Sequence, residues 1–202
     1  MNDQQQQNNT VFGVDAGYMK NGRVYSEYRS RDAFDGRTTQ ASIGVRNQFM
    51  IREGLGITAG VERVFSIAGT AFNEGTAISL GIDYTADPNW KASARLETRF
   101  SKQEDAYITT LGYAHRINDE WSFLGKNTLA LSIGGSGDRT LERMRAGFAY
   151  RESQFSNWNA LGRYEYSYEM NNGFNKGLER SVHLISTHLN WQVNDPLYIT
   201  AR

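Results

Sequence analysis

The chain contains no cysteine, which excludes thiol nucleophiles, disulfide staples and thiolate metal sites without fixing the compartment. Proline is nearly missing, with 2 residues among 202. Net charge is missing too: 22 basic and 22 acidic side chains cancel and the pI lies near 6.8, so no basic footprint points to a nucleic-acid partner. No run of apolar residues approaches the 18 or so that a transmembrane helix requires. The opening MNDQQQQNNT has no apolar centre and is not a signal peptide. Its Gln/Asn bias predicts a disordered leader or linker remnant over residues 1–10. If the protein is exported, its signal sequence is absent from this chain. A mean hydropathy of −0.60 does not argue against a membrane barrel, because only alternate residues of such a strand touch lipid.

What the chain does have is 20 Gly, 11 Tyr and 10 Phe, a balance that favours strands, and an apolar/polar alternation that recurs from end to end. It predicts twelve strands, near 10–19, 23–30, 38–50, 55–66, 75–85, 90–101, 105–116, 121–133, 139–152, 157–169, 180–192 and 196–202. The connections read as two alternating classes. KNGR, REG, ADPN, INDE, QFSN and VNDP are short and built from turn residues. RDAFDGR, IAGTAFNEG, KQED, GGSGDR and MNNGFNKGLE read as longer loops. Short turns on one rim and longer loops on the other are the pattern of an outer-membrane barrel. Leu55, Trp90, Trp121, Trp158 and Leu197 each follow a short turn, which fits repeated hairpins better than propeller blades.

Projected as strands, the residues fall on two faces. One carries Glu27, Arg29, Arg46, Glu62, Asp83, Arg95, Glu97, Arg99, Lys126, Arg143, Arg145, Arg163 and Glu165, with Gly44, Gly60, Gly81 and Ser93 between them. The other is Ala, Val, Ile and Leu at mid-strand. Its large rings, Tyr18, Phe49, Tyr84, Trp90, Tyr113, Trp121, Tyr150, Trp158 and Trp191, all lie near the short turns. A soluble β-barrel or sandwich would bury the apolar face and put its largest side chains at mid-strand. Rings gathered at one height instead match the aromatic girdle of a membrane interface. The expected fold is therefore all-β: an antiparallel up-and-down transmembrane β-barrel over residues 11–202, its charges lining the lumen.

The first strand begins, and the twelfth ends, on the long-loop side, whereas bacterial barrels start and finish on the short-turn side. The expectation is a segment of a larger barrel, truncated at both ends, with a closed ring of twelve as the alternative. The phrases SEYRSRDAFDGRTTQASIGVRNQF, GLGITAGVERV, YTADPNWKASARLETR, GDRTLERMRAGFAYR and NWNALGRYEY together resemble the C-terminal outer-membrane β-barrel of very large proteobacterial surface proteins, which carry repeated adhesin-like domains upstream. The resemblance implies a membrane anchor or conduit in a Gram-negative outer membrane. Its partners would be the lipid bilayer, the outer-membrane assembly machinery and upstream extracellular domains of the same polypeptide.

Chemistry is sparse. Ser186, His188 and Asn190 share a strand face and supply nucleophile, base and orienting types. Residues i and i+2 on a strand stand about 6.5–7 Å apart, too far for a nucleophile–base hydrogen bond, so no catalytic role and no enzyme activity is assigned. His115, His183 and His188 lack metal-ligand spacing; no metal or cofactor is expected. Loops 66–75 and 170–179, with Phe72 and Phe174, are candidate partner contacts. Interspersed signs among the inward charges read as a self-neutralising network. The competing function is a porin-like channel for small or acidic solutes, which requires an excess of positive charge.

Overall fold

A computed structural model describes residues 8–18, 20–33, 36–68, 74–135, 137–153, 157–172, 177–194 and 197–201. The described chain is all-β: β1 (Asn8–Tyr18), β2 (Gly22–Ala33), β3 (Gly36–Arg52), β4 (Leu55–Ala68), β5 (Gly75–Tyr84), β6 (Trp90–Ser101), β7 (Glu104–Arg116), β8 (Trp121–Gly134), β9 (Arg139–Arg151), β10 (Trp158–Asn171), β11 (Leu178–Asn194) and β12 (Leu197–Ala201). They form one twelve-stranded sheet in sequence order, each strand antiparallel to the next. An up-and-down order follows from connections too short for crossovers.

Period-two alternation locates every strand to within three residues, since each strand keeps one apolar and one polar face along its length. Three expectations change. β1 starts at Asn8, so Asn8, Asn9 and Thr10 of the expected leader pair with Asp32, Arg31 and Ser30. RDAFDGR and KQED are not long loops. β2 and β3 zip together as far as the Ala33–Gly36 pair. β6 and β7 meet in a tight turn where the Ser101 hydroxyl accepts the Glu104 amide (3.0 Å) and donates to the Glu104 carbonyl (2.6 Å). Polar composition misleads here because ladder hydrogen bonds use the backbone, which polar residues supply equally well. Loop length therefore does not distinguish the two rims.

The rim that joins β1 to β2, β3 to β4 and so on is sewn together by its turns. Gly54 (φ 70°) closes the Glu53–Gly54 turn, and its carbonyl accepts the Thr85 amide of the next turn at 2.6 Å. The Asn118 side chain accepts the amides of Glu120 and Trp121 at 2.9 and 2.7 Å, an Asx turn that launches β8.

No hydrophobic residue among the described ones is buried; there is no second layer to bury it. Phe12, Leu80, Leu96, Phe148 and Ile185 are 69%, 55%, 49%, 50% and 75% exposed. The sheet is also open. β12 covers β11 over Leu189–Asn194, and among the described residues β1 and β12 do not pair.

Candidate functional site

Because residues directly opposite in an antiparallel ladder share a face, the register carries side-chain direction from strand to strand. Glu27 faces Ser42, Arg29 faces Gln40 and Gly44 faces Glu62. Next, Glu62 faces Ala77, Ala77 faces Arg99 and Ser79 faces Glu97. Through Arg95–Thr110, Thr110–Thr128, Lys126–Arg145 and Arg145–Glu165 the same face runs on into β10. All thirteen residues assigned to the charged face lie on it. The nine rings lie on the other, through pairs such as Tyr84–Ala92, Ala92–Tyr113, Trp121–Tyr150 and Trp158–Trp191.

The charged face is the concave one. Side chains of seven consecutive strands, among them Arg29, Gln40, Glu62, Ala77, Arg99, Ala106 and Ser132, line a single hollow of about 500 Å³. A smaller recess of about 80 Å³ is lined by Tyr25, Arg46, Glu62, Arg95, Glu97 and Arg99. Tyr25, absent from the sequence-based set, organises it. Its ring lies over Gly44, its direct cross-strand partner, where any Cβ would collide with the ring, and its hydroxyl donates to Glu62 at 2.6 Å. A glycine opposite an aromatic lets the ring lie flat on the backbone. The signal was in the sequence: Tyr25 has the parity of Glu27 and Arg29.

Ion pairs stitch this wall along and across strands. Glu97 receives Arg95 at 2.9 Å and Arg99 at 2.5 Å, and Glu27 receives Arg29. Across strands, Glu165 receives Arg145 at 3.0 Å with Arg143 at 3.8 Å. The expected even neutralisation does not hold throughout. On β2–β6 the described side chains of this face are six cations (Arg23, Arg29, Arg46, Lys91, Arg95, Arg99) and four carboxylates (Glu27, Glu62, Asp83, Glu97). On β8–β10 they are Lys126, Arg139, Arg143, Arg145, Arg151 and Arg163 against Glu165 and Glu169, the latter held by Arg139 at 2.6 Å. Whole-chain neutrality conceals this, because other acids sit on the convex face, as Glu142 and Glu179 do, or in turns, as Asp119 and Asp138 do.

The convex face has its rings in contact along one rim. Tyr84 stacks on Trp90 (centroids 4.3 Å) and Trp158 on Trp191 (5.0 Å), while Trp121 meets Tyr150 at 4.9 Å. This face is not uniformly apolar. Asn127 donates to Glu142 at 3.2 Å, Tyr168 to Glu179 at 3.1 Å, and the Tyr164 hydroxyl lies 2.8 Å from His183 Nδ1. These three pairs each join neighbouring strands on that face.

Ser186, His188 and Asn190 lie on the concave face opposite Arg163, Leu161 and Asn159, and Asn190 donates to Asn159 at 2.7 Å. Ser186 and His188 make no hydrogen bond to each other among the described residues, as their spacing predicts. Phe72 and Phe174 lie outside the described residues.

No family profile and no curated protein matches the chain. Among solved structures the chain is similar to the KdgM porin, at 8% identity and a TM-score of 0.46 over 94% of this chain and 95% of that one. It is also similar to the NanC porin, at 11% identity and a TM-score of 0.45 over 93% and 94%.

Proposed function

We propose that this chain is an integral outer-membrane β-barrel of a Gram-negative bacterium whose charged concave wall encloses a porin-like aqueous path for small or acidic solutes, without a catalytic step. One observation carries the reading: the sheet curls with its charges inward and its apolar face outward and uncovered. A soluble barrel curls the opposite way. In water, an apolar face of this extent is an aggregation surface; against lipid it is the face with the favourable transfer energy. Strands of 10–14 residues such as β4–β10 meet or exceed the 9–11 or so needed to cross a bilayer at a tilt. The rings would then mark one membrane interface and the thirteen charged residues the lumen.

Lipid offers no partner for unpaired backbone groups, so the open edges of β1 and β12 must be satisfied in the membrane. Twelve strands about 4.8 Å apart and tilted about 40° close into a ring roughly 24 Å across, which inward side chains narrow to about half. A second reading, anchor or conduit for upstream domains, is favoured by the strand phrases that resemble surface-protein barrels. Planar-bilayer recording of detergent-refolded protein separates the two. Stepwise conductance is expected; silent membranes from protein that shows a compact heat-modifiable gel band would refute the channel and leave the anchor.

A further inference from the structure

We propose that β8, β9 and β10 carry an anion-binding subsite on the concave wall, formed by Lys126, Arg143, Arg145 and Arg163 and regulated by Glu165. Its ligands are small multivalent anions bearing carboxylate, sulfate or phosphate groups. The inference rests on the reading of that wall as water-filled.

Lys126 and Arg145 are direct cross-strand partners, and like charges in that position repel unless something between them is negative. Arg145 finds its counter-charge on the other side, where its Nε and Nη2 donate to Glu165 at 3.0 and 3.3 Å. Arg143 stands 3.8 Å from the same carboxylate, so one acid serves two guanidinium groups. Arg163 shares Glu165's face two residues away, about 6.5–7 Å along the strand. It is paired across the ladder with Gly147, which leaves the space beside it free of a side chain. Neither Lys126 nor Arg163 has an ion pair among the described residues. The surplus is largest in this sector, where six cations face two carboxylates, against six to four on β2–β6.

Spacing sets the ligand class. Neighbouring strands hold these cations about 4.8 Å apart and successive inward residues about 6.5–7 Å apart. An ion with two or three anionic groups at such separations bridges several cations, whereas chloride meets one. Guanidinium forks bind carboxylate, sulfate and phosphate oxygens in pairs. Glu165 occupies the fork of Arg145 and stands beside Arg143 when no ligand is present, and an incoming anionic group takes its place. Glu165 is therefore an internal competitor.

The test is fluorescence anisotropy of the trianion 8-hydroxypyrene-1,3,6-trisulfonate with the full refolded chain in detergent. Binding is expected to weaken steeply with added salt. Lys126→Gln with Arg163→Gln should weaken it about tenfold or more, the equivalent of one charged hydrogen-bonded contact. Glu165→Gln should tighten it, and Arg63→Gln, which removes a charge from the convex face, should leave it unchanged. Arg46→Gln, outside the three-strand cluster, should weaken it less than Arg163→Gln. Equal losses at 46 and 163, weaker binding by Glu165→Gln, a flat salt response or no binding by the wild type would each overturn the subsite. The salt titration needs no variant, so misfolding of one does not shelter the proposal. Binding is read without conductance: silent bilayers with this variant pattern sink the channel and keep the subsite, and conductance without binding does the reverse.

Discussion

A single methyl group at position 44 tests whether Tyr25 organises the concave wall. A Cβ on Gly44 falls on the Tyr25 ring, so Gly44→Ala forces the ring to swing away. The swing also breaks the 2.6 Å hydrogen bond from its hydroxyl to Glu62. Overpacking costs about 1–3 kcal/mol. A hydrogen bond to a charged acceptor is worth about 1.5–3 kcal/mol, of which the lower end applies because the cluster borders an open hollow. Against this, alanine in a strand gains about 0.5–1 kcal/mol over glycine. The net expectation is a destabilisation of about 2–3 kcal/mol. Tyr25→Phe alone keeps the ring and should cost about 1–1.5 kcal/mol. In a Tyr25→Ala background the collision is gone and only the strand preference remains, so Gly44→Ala should stabilise by about 0.5–1 kcal/mol, giving a coupling of about 3 kcal/mol. Urea unfolding of refolded protein in lipid vesicles, followed by tryptophan fluorescence, measures all four corners of the cycle. Additive effects would refute the claim that position 44 is kept empty for this ring.

Two further outcomes concern the convex face. Asn127→Leu strands the Glu142 carboxylate without its 3.2 Å donor and should cost about 1–3 kcal/mol. The double replacement Asn127→Leu/Glu142→Leu should return to wild-type stability or better; a double variant as weak as the single one refutes a lipid surrounding there. The cysteine-free chain also permits a direct test of sidedness. In vesicles, Ser79→Cys should react with a membrane-impermeant maleimide and the adjacent Leu80→Cys should not, because they occupy opposite faces. The reverse pattern would mean that the sheet is curled the other way.

Much of the architecture was legible because a strand's two-residue period is a local property. NWKASARLETRF shows it: Trp90, Ala92, Ala94, Leu96, Thr98 and Phe100 alternate with Lys91, Ser93, Arg95, Glu97 and Arg99. Both faces of β6 could be written down before any partner was known. The same parity placed the thirteen charged residues together, and it also covered Tyr25, which escaped notice because a tyrosine carries no charge to mark it. The connections were less legible. In RDAFDGR and KQED, polar side chains signal a loop while the backbone ladder runs on to Ala33–Gly36 and to Phe100–Asp105. Composition reports on side chains, and strand ends are decided by backbone pairing.

The sequence alone determined the strand count, the alternation and which residues share a face, all of which follow from stereochemistry within a single strand. The direction of curl belongs to the tertiary structure, because alternation is symmetric between a sheet that hides its apolar face and one that exposes it. So does the distribution of charge. Glu165 becomes the carboxylate shared by Arg143 and Arg145 only once the register sets Lys126 beside Arg145 and Arg145 beside Glu165. Pairing between strands is a non-local choice, and a chain with no net charge can therefore carry a positive sector on one wall.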